Sequence, residues 1–374
     1  MPQPAYPPEL EAYWLRAAQA ETRAISDRDA LQRLLPDIRR LADRFTTARP
    51  PAEAASDYLR DTRDCIAYSL YFAPQTHARL AHILAELPPF SETSQPFRVL
   101  DLGSGTGAAA WALLDHLGRR PVALHVRDRS RAALRCLHDG FAALRAARWP
   151  EATLRTDCAP LEDFSAGDEK FDVILLHYVL NELAPDVRRT LLARAARALA
   201  PRGRLIVCEP LLREAGDYLR ELRAFALADL RLHLLAPCPH ELACPLGEPC
   251  HDVRTWKLPR SLQILNAVLH RDLRHLAFAF LALSPAPATA HGLRARLVGS
   301  PSHAKGQTLC PACCSDGLFH RLQLLHRNFD TFGRKELRHY ERGQVLLLDT
   351  LAPLGDPALF RATPRGHLAS RPPS

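Results

Sequence analysis

Phe97-Arg-Val-Leu-Asp-Leu-Gly-Ser-Gly-Thr-Gly107 is the stretch that decides the fold. Its first five residues read as a short apolar strand, and residues 108–117 read as a helix. Between them Gly103, Gly105 and Gly107 alternate with other residues. Glycine is needed where a backbone turns sharply and must let a ligand come close. Working outward, Val122-Ala-Leu-His-Val126, Phe171-Asp-Val-Ile-Leu-Leu176 and Gly203-Arg-Leu-Ile-Val-Cys208 are further apolar strands. Residues 187–199 form an arginine-rich amphipathic helix between the last two. Strand and helix alternating at this period predict an α/β fold, with a mostly parallel, doubly wound sheet over 96–285.

The same glycine spacing serves dinucleotides. Two details favour S-adenosylmethionine instead. Asp101 heads the loop and suits a ligand with an amino group, and the loop lies well inside the chain after a helical segment. Asp-x-Gly-x-Gly-x-Gly resembles motif one of the class I methyltransferases, which implies their Rossmann-like fold. Asp128, ending the second strand, is placed for ribose hydroxyls, and Asp157, after the third, for the adenine edge. Asn181 and Glu182 follow the fourth strand, within reach of a methionine moiety. The cofactor-binding set is therefore Asp101, Gly103, Gly105, Gly107, Asp128, Asp157 and Asn181. No catalytic residue can be assigned. The stretch Leu176-His-Tyr-Val-Leu-Asn181 lacks the Pro-Pro pair of base-amine methylation, and neither Cys158 nor Cys208 follows a proline, as an attacking cysteine often does.

Residues 1–95 read as an N-terminal helical cap, 214–235 and 260–283 as helices, and 286–355 as a small β-rich unit. The Pro/Arg/Ser-rich end, 356–374, reads as a disordered tail. The net charge is +8, with only four lysines among 49 basic residues. Arginine forms planar, bidentate contacts with phosphate, so a basic surface fits an RNA partner, although genomic composition also favours arginine. No secretory signal and no long apolar span are present, which points to a cytoplasmic protein without membrane attachment, expected as a monomer.

Cysteine usage is uneven. Cys65, Cys136 and Cys158 are isolated and read as small buried hydrophobes, and Cys208 as the end of a core strand. The other six cluster in a metal-like way. Pro237-Cys-Pro-His-Glu-Leu-Ala-Cys-Pro-Leu-Gly-Glu-Pro-Cys-His251 spaces Cys238, Cys244 and Cys250 evenly, with prolines that lower the entropy lost on closing the loop. Thiolates hold iron–sulfur clusters or soft metals, and zinc knuckles more often use C-x2-C. A fourth ligand must come from elsewhere: Cys310, Cys313 or Cys314. His240 or His251 would suit zinc, as would the Cys310/Cys313 pair.

This cysteine–proline run lies downstream of the glycine loop. It is followed by Lys305-Gly306, Cys313 and Asp316-Gly317. Together with Ala67-Tyr-Ser-Leu-Tyr-Phe-Ala-Pro74 and Val207-Cys-Glu-Pro210, it resembles the methyltransferase-like assembly factors of the mitochondrial small ribosomal subunit and their bacterial relatives. The likeness runs from about 57 to 349. It departs from the family's pattern in the third cysteine spacing and in Ser300-Pro-Ser-His303, which is less basic. The resemblance implies a [4Fe-4S] cluster on Cys238, Cys244, Cys250 and Cys313, with S-adenosylmethionine as a structural ligand. It also implies binding to the small ribosomal subunit and its rRNA during assembly. An active S-adenosylmethionine-dependent rRNA methyltransferase is the alternative.

Overall fold

The computed structural model describes residues 3–45, 58–91, 95–211, 213–288 and 292–367. Four helices open the chain: α1 (Pro8–Thr22), α2 (Asp27–Phe45), α3 (Thr62–Tyr71) and α4 (Ala73–Glu86). Asp61 caps α3 by accepting a hydrogen bond from the Asp64 amide at 2.8 Å. The apolar faces of these helices, with Trp14, Leu34, Ile66 and Leu80 fully or almost fully buried, share one core with a face of the sheet that follows.

That sheet is built from β1 (Phe97–Leu102), α5 (Ala108–Leu117), β2 (Val122–Asp128), α6 (Arg131–Arg148), β3 (Ala152–Cys158) and β4 (Phe171–His177). It continues through α7 (Pro185–Arg197), β5 (Leu199–Pro210), α8 (Arg213–Ala228) and β6 (His233–Ala236). Then come β7 (Asp252–Thr255), α9 (Arg260–Leu269) and β8 (His275–Ser284). The strand order is β3-β2-β1-β4-β5-β8-β6, with β7 added on β8. The first five strands are parallel, and β8 runs antiparallel between β5 and β6. This is the class I methyltransferase order, as the glycine loop led us to expect. The order reverses beside β1, so ligand space opens beyond the carboxyl ends of β1 and β4.

The segment between β6 and β7 is the cysteine loop. Beyond β8 stands a separate β-rich unit with a core of its own, around Leu297, Leu322, Leu324 and Leu346. Its elements are β9 (Leu293–Leu297), β10 (Ser302–Ala304), β11 (Gln307–Cys314), β12 (Phe319–Leu325), α10 (Thr331–Leu337), β13 (Val345–Pro353) and β14 (Leu359–His367).

Three expectations are corrected. Residues 275–284, read as helix, form β8. The run His-Leu-Ala-Phe-Ala-Phe-Leu-Ala-Leu-Ser is buried along nearly its whole length, and a continuous apolar run has no period that tells strand from helix. The helix read over 214–235 stops at Ala228 and gives way to β6. The disordered tail is in part a strand. Leu359–His367 pairs with β12 and β13, while 368–374 lie outside the described residues. Cys65, Cys136 and Cys208 are buried as expected, but Cys158 is exposed. Among the described residues no helix is long and apolar enough to cross a membrane.

Candidate functional site

The glycine loop is shaped by its backbone. Gly103 sits at φ +77°, and a Cβ there would lie 2.3 Å from Val179. Gly107, at φ +93°, is the N-cap of α5, and a Cβ would meet the Trp111 ring at 2.6 Å. Neither position tolerates a side chain, so both glycines are fixed by conformation as well as by space. Asp101, beside Val126 of β2 and Leu175 of β4, is 1% exposed. Its carboxylate oxygens have no side-chain partner, and only the Ala110 amide approaches them. Burial, and then the charge of Asp128, push this acid up to about 7.

A cavity of about 70 Å³ adjoins the loop, lined by Gly103, Gly105 and Asp128, with Tyr58 and Tyr68 contributed by the N-terminal region. The Ser130 hydroxyl ties that region to the sheet through the Leu59 carbonyl at 2.5 Å, and Ser69 does so through the Thr106 hydroxyl at 2.8 Å. Asp128 accepts from the Gly105 and Ser130 amides, each at 2.8 Å, and so ties the glycine loop to the end of β2. His177 and Tyr178 also line the cavity. Both His177 nitrogens, the Tyr178 hydroxyl and the Ser104 hydroxyl are buried without partners. Burial, and then the charge of Arg79, hold His177 neutral, its pKa lowered to about 3. Buried polar groups are normally satisfied. These orphans gather at the carboxyl ends of β1 and β4, beside the cavity.

Two expected contacts fall elsewhere. Asp157 is ion-paired with Arg127 and lines a different cavity, with His125 and Arg155. Asn181 donates to Glu209 at 2.8 Å. Glu209 is the residue that reading the sequence overlooked. Fully buried at the end of β5, it accepts from the amides of Val179, Leu180 and Asn181, the Asn181 side chain and the Tyr218 hydroxyl, at 2.6–3.2 Å. These bonds hold the turn after β4, where Tyr178 stands at φ +62°. A glutamate ending an otherwise apolar strand was the available signal. Glu182 does line the cavity, and burial lifts it to about 7 against the pull of Arg129 at 3.7 Å. The arginines of α7 are absorbed structurally. Arg188 lies over Tyr218, Arg189 over Phe225, and Arg194 donates to the Glu162 and Phe164 carbonyls.

The cysteine loop is held from behind by α8. Arg223 donates to the His240 and Leu242 carbonyls at 3.0 and 2.9 Å, and Arg220 reaches the Leu246 and Gly247 carbonyls at 3.3 and 3.2 Å. Cys238, Cys244 and Cys250 all line one cavity of about 50 Å³. Strand parity on β11 then separates the three remaining thiols. Cys310, Ala312 and Cys314 alternate into the β unit's core, so Cys313 faces the other way. There His240 Nε2 is 3.2 Å from the Cys313 sulfur. Burial first, and then Cys238, Cys250 and Cys244, push the Cys313 thiol up to about 12. For Cys310 burial is the only cause. The four thiols Cys238, Cys244, Cys250 and Cys313 therefore feel one another, and Cys310 stands outside the group. Among the described residues, no three His, Cys, Asp or Glu side chains are grouped so as to hold a single metal ion.

Behind this junction lies a buried ionic network. Arg296 of β9 pairs with Asp252 of β7 and with Glu86 of α4 at 2.8 Å, and donates to the Pro237 carbonyl at 3.3 Å. Arg254 reaches Glu86 at 3.3 Å. Three units of the chain (helical cap, sheet and β unit) thus meet on charges at most 5% exposed.

Residues 62–343 match a family described as mitochondrial small ribosomal subunit Rsm22. No curated protein matches the chain. Among solved structures, the TehB-like SAM-dependent methyltransferase from Corynebacterium glutamicum is 18% identical, with a TM-score of 0.34 over 66% of this chain and 97% of that one. The [4+2]-cyclase SpnF is 16% identical, with a TM-score of 0.38 over 56% and 82%. Phosphoethanolamine N-methyltransferase 1 from Haemonchus contortus is 13% identical, with a TM-score of 0.38 over 70% of this chain and 51% of that one. Scores this low carry no weight for activity, and the fold rests on the strand order.

Proposed function

The chain belongs to the Rsm22 family of mitochondrial small ribosomal subunit proteins, and from that premise we propose that it is a small-subunit assembly factor that binds ribosomal RNA. It keeps a methyltransferase fold, holds S-adenosylmethionine at the glycine loop and carries a [4Fe-4S] cluster. Its compartment is that of the ribosome it serves; the family's description favours a mitochondrial one over the cytoplasmic expectation.

One observation carries the cluster reading: three thiols of the 237–251 loop line one cavity, and Cys313 of the remote strand β11 lies near enough for its thiol to feel all three. Cys238, Cys244, Cys250 and Cys313 are the proposed ligands. In a four-iron cluster each thiolate binds a different iron, so the sulfurs need not stand as close as around one ion. Burial raises the proton affinity of Cys238, Cys250 and Cys313, so loading would release protons, as metal binding to cysteine does. When bound, the cluster supplies a rigid cross-link between the loop and the β unit. Arg223, which lines the same cavity, and Arg296, which bonds the Pro237 carbonyl, place positive charge beside an anionic group. Anaerobic purification with iron and sulfide analysis and an absorption spectrum near 400 nm tests this. Four irons per chain support it, and colourless, iron-free protein overturns it. His240 beside Cys313 favours a second reading, a zinc site, which the same metal analysis would reveal.

For the cofactor, Asp101 is the proposed partner of the amino group. Gly103, Gly105 and Gly107 leave room for close backbone approach, and Asp128 lies on the ribose side. Asp157 and Asn181 are left to their structural bonds. Binding of S-adenosylmethionine by calorimetry, lost in Asp101→Ala, tests this. Methyl transfer to rRNA is the alternative, favoured by the unpaired His177 and Tyr178 at the pocket wall. Radiolabel passing from the methyl donor to small-subunit particles would establish it.

A further inference from the structure

Of the β unit at the C-terminal end, the cysteine site uses only Cys313, which pairs with Phe319 at one end of β11. The unit's closing strands run β9-β11-β12-β14-β13 and back to β9, with β12 and β14 parallel and α10 between β12 and β13. Numbered one to five in chain order, they close as 1-2-3-5-4-1, the order of the OB-fold. In that fold the face of strands two and three, with the 1–2 and 4–5 loops, takes oligonucleotides or oligosaccharides.

The outward side chains on this face suit a nucleic acid. Along β12, His320, Leu322 and Leu324 are buried, while Phe319 and Arg321 are exposed and Gln323 is half-buried. Phe319 is 37% exposed, enough to offer a ring to a base. On β14 the exposed Arg361 lies beside Gln323, donating to it at 3.3 Å, and Gln323 donates to Gln307 at 2.6 Å. The β10–β11 hairpin, in the position of the 1–2 loop, opens onto a cleft of about 340 Å³. His303, Lys305, His326, Arg334 and Arg338 line it, and no carboxylate does. The Thr308 hydroxyl bridges His303 and His326 at 3.0 Å each. Over 292–367 the chain carries eleven Lys and Arg against six Asp and Glu.

We propose that this barrel is an OB-type module for single-stranded RNA. A base stacks on Phe319, Arg321 and Arg361 flank it, and the backbone runs to the cationic cleft, where Arg334, Arg338 and Lys305 take phosphates. The positive lining selects a polyanion over a neutral oligosaccharide. A flat face with an exposed ring selects splayed bases over a duplex. The choice of RNA over DNA rests on the rRNA-binding reading above, and the barrel site itself does not.

The test is fluorescence anisotropy of the full-length, cluster-loaded protein with a uridine-rich 12-nucleotide RNA and a duplex of equal length. Preference for the single strand is expected. Phe319→Ala should weaken it about tenfold, the effect of losing one stacked base. Arg334→Gln with Arg338→Gln should lower the slope of log affinity against log salt by about 1.4, or about 0.7 per phosphate contact. Circular dichroism melting checks that these exposed changes leave the fold intact, and Arg321→Gln with Arg361→Gln provides a second face variant. Equal affinity for the duplex, or wild-type binding by both face variants, overturns the proposal. A Phe319→Ala protein that still sediments with small-subunit particles but loses the oligomer sinks neither reading. Wild-type protein that binds particles and no oligomer sinks this inference alone.

Discussion

The glycine-loop pocket and the cysteine junction are built on opposite principles. The pocket lies at the ends of neighbouring strands of one sheet, walled by Tyr58 and Tyr68 of the N-terminal region, and its glycines hold their turn by conformation. The junction is assembled from a loop and a strand that belong to different units of the fold. One site is shaped by its own backbone, with unpartnered polar groups such as His177 and Tyr178 at its wall. The other joins parts already tied by the Arg296–Asp252–Glu86 network, which the proposed cluster would tie further. Ligand removal should therefore cost the pocket affinity and the junction stability.

The sharpest way to break this contrast is at the cysteines. Cys244→Ser is expected to give iron-poor protein whose melting temperature falls by roughly 10 °C, since metal ligation contributes folding free energy directly. Cys313→Ser should match it, while Cys310→Ser should keep its iron, because Cys310 points into the barrel core. Iron retained in Cys313→Ser but lost in Cys310→Ser would reverse the parity assignment. The next effect lies in the ionic network. Glu86→Gln leaves Arg296 and Arg254 short of buried negative charge, and destabilisation of about 3 kcal/mol is expected from denaturant unfolding. A change under about 1 kcal/mol would mean that Asp252 alone satisfies both arginines.

The smallest effect is at the pocket, and it is one of binding. Asp101 is held up to about 7, so below that pH it carries a proton that a cationic amino group must displace. Affinity for S-adenosylmethionine is expected to fall as pH drops below about 7, by up to about tenfold per unit. Asp101→Asn should bind weakly with a flat profile. The sign for stability runs the other way. The folded chain holds this proton more tightly than the unfolded one, so Asp101 weakens the free protein as pH rises from about 4 to 7 and the loss persists above. Asp101→Asn should remove that loss, which thermal melts at pH 8 would detect.

The legible parts of the fold were those encoded locally. Strand, glycine loop and helix follow one another within residues 97–117, and helix 62–71 carries its own Asp61 cap while helix 73–86 has Pro74 in its first turn. What was misread depended on partners. His275–Ser284 is a strand because β5, β6 and β7 pair with it, and Leu359–His367 is ordered because it closes the barrel against β12 and β13. The candidate site divides in the same way. Asp101 and the three glycines could be named from their motif, whereas the diversion of Asn181 to Glu209 required the fold.

By itself the amino-acid sequence determined the methyltransferase sheet, its loop and the presence of clustered thiols, because strand pattern and backbone freedom are properties of neighbouring residues. Only the tertiary structure decided which thiol of β11 turns toward the loop and that five late strands close into a barrel. Alternation along a strand says that Cys313 differs from Cys310 and Cys314, but which side is core is settled by what packs there.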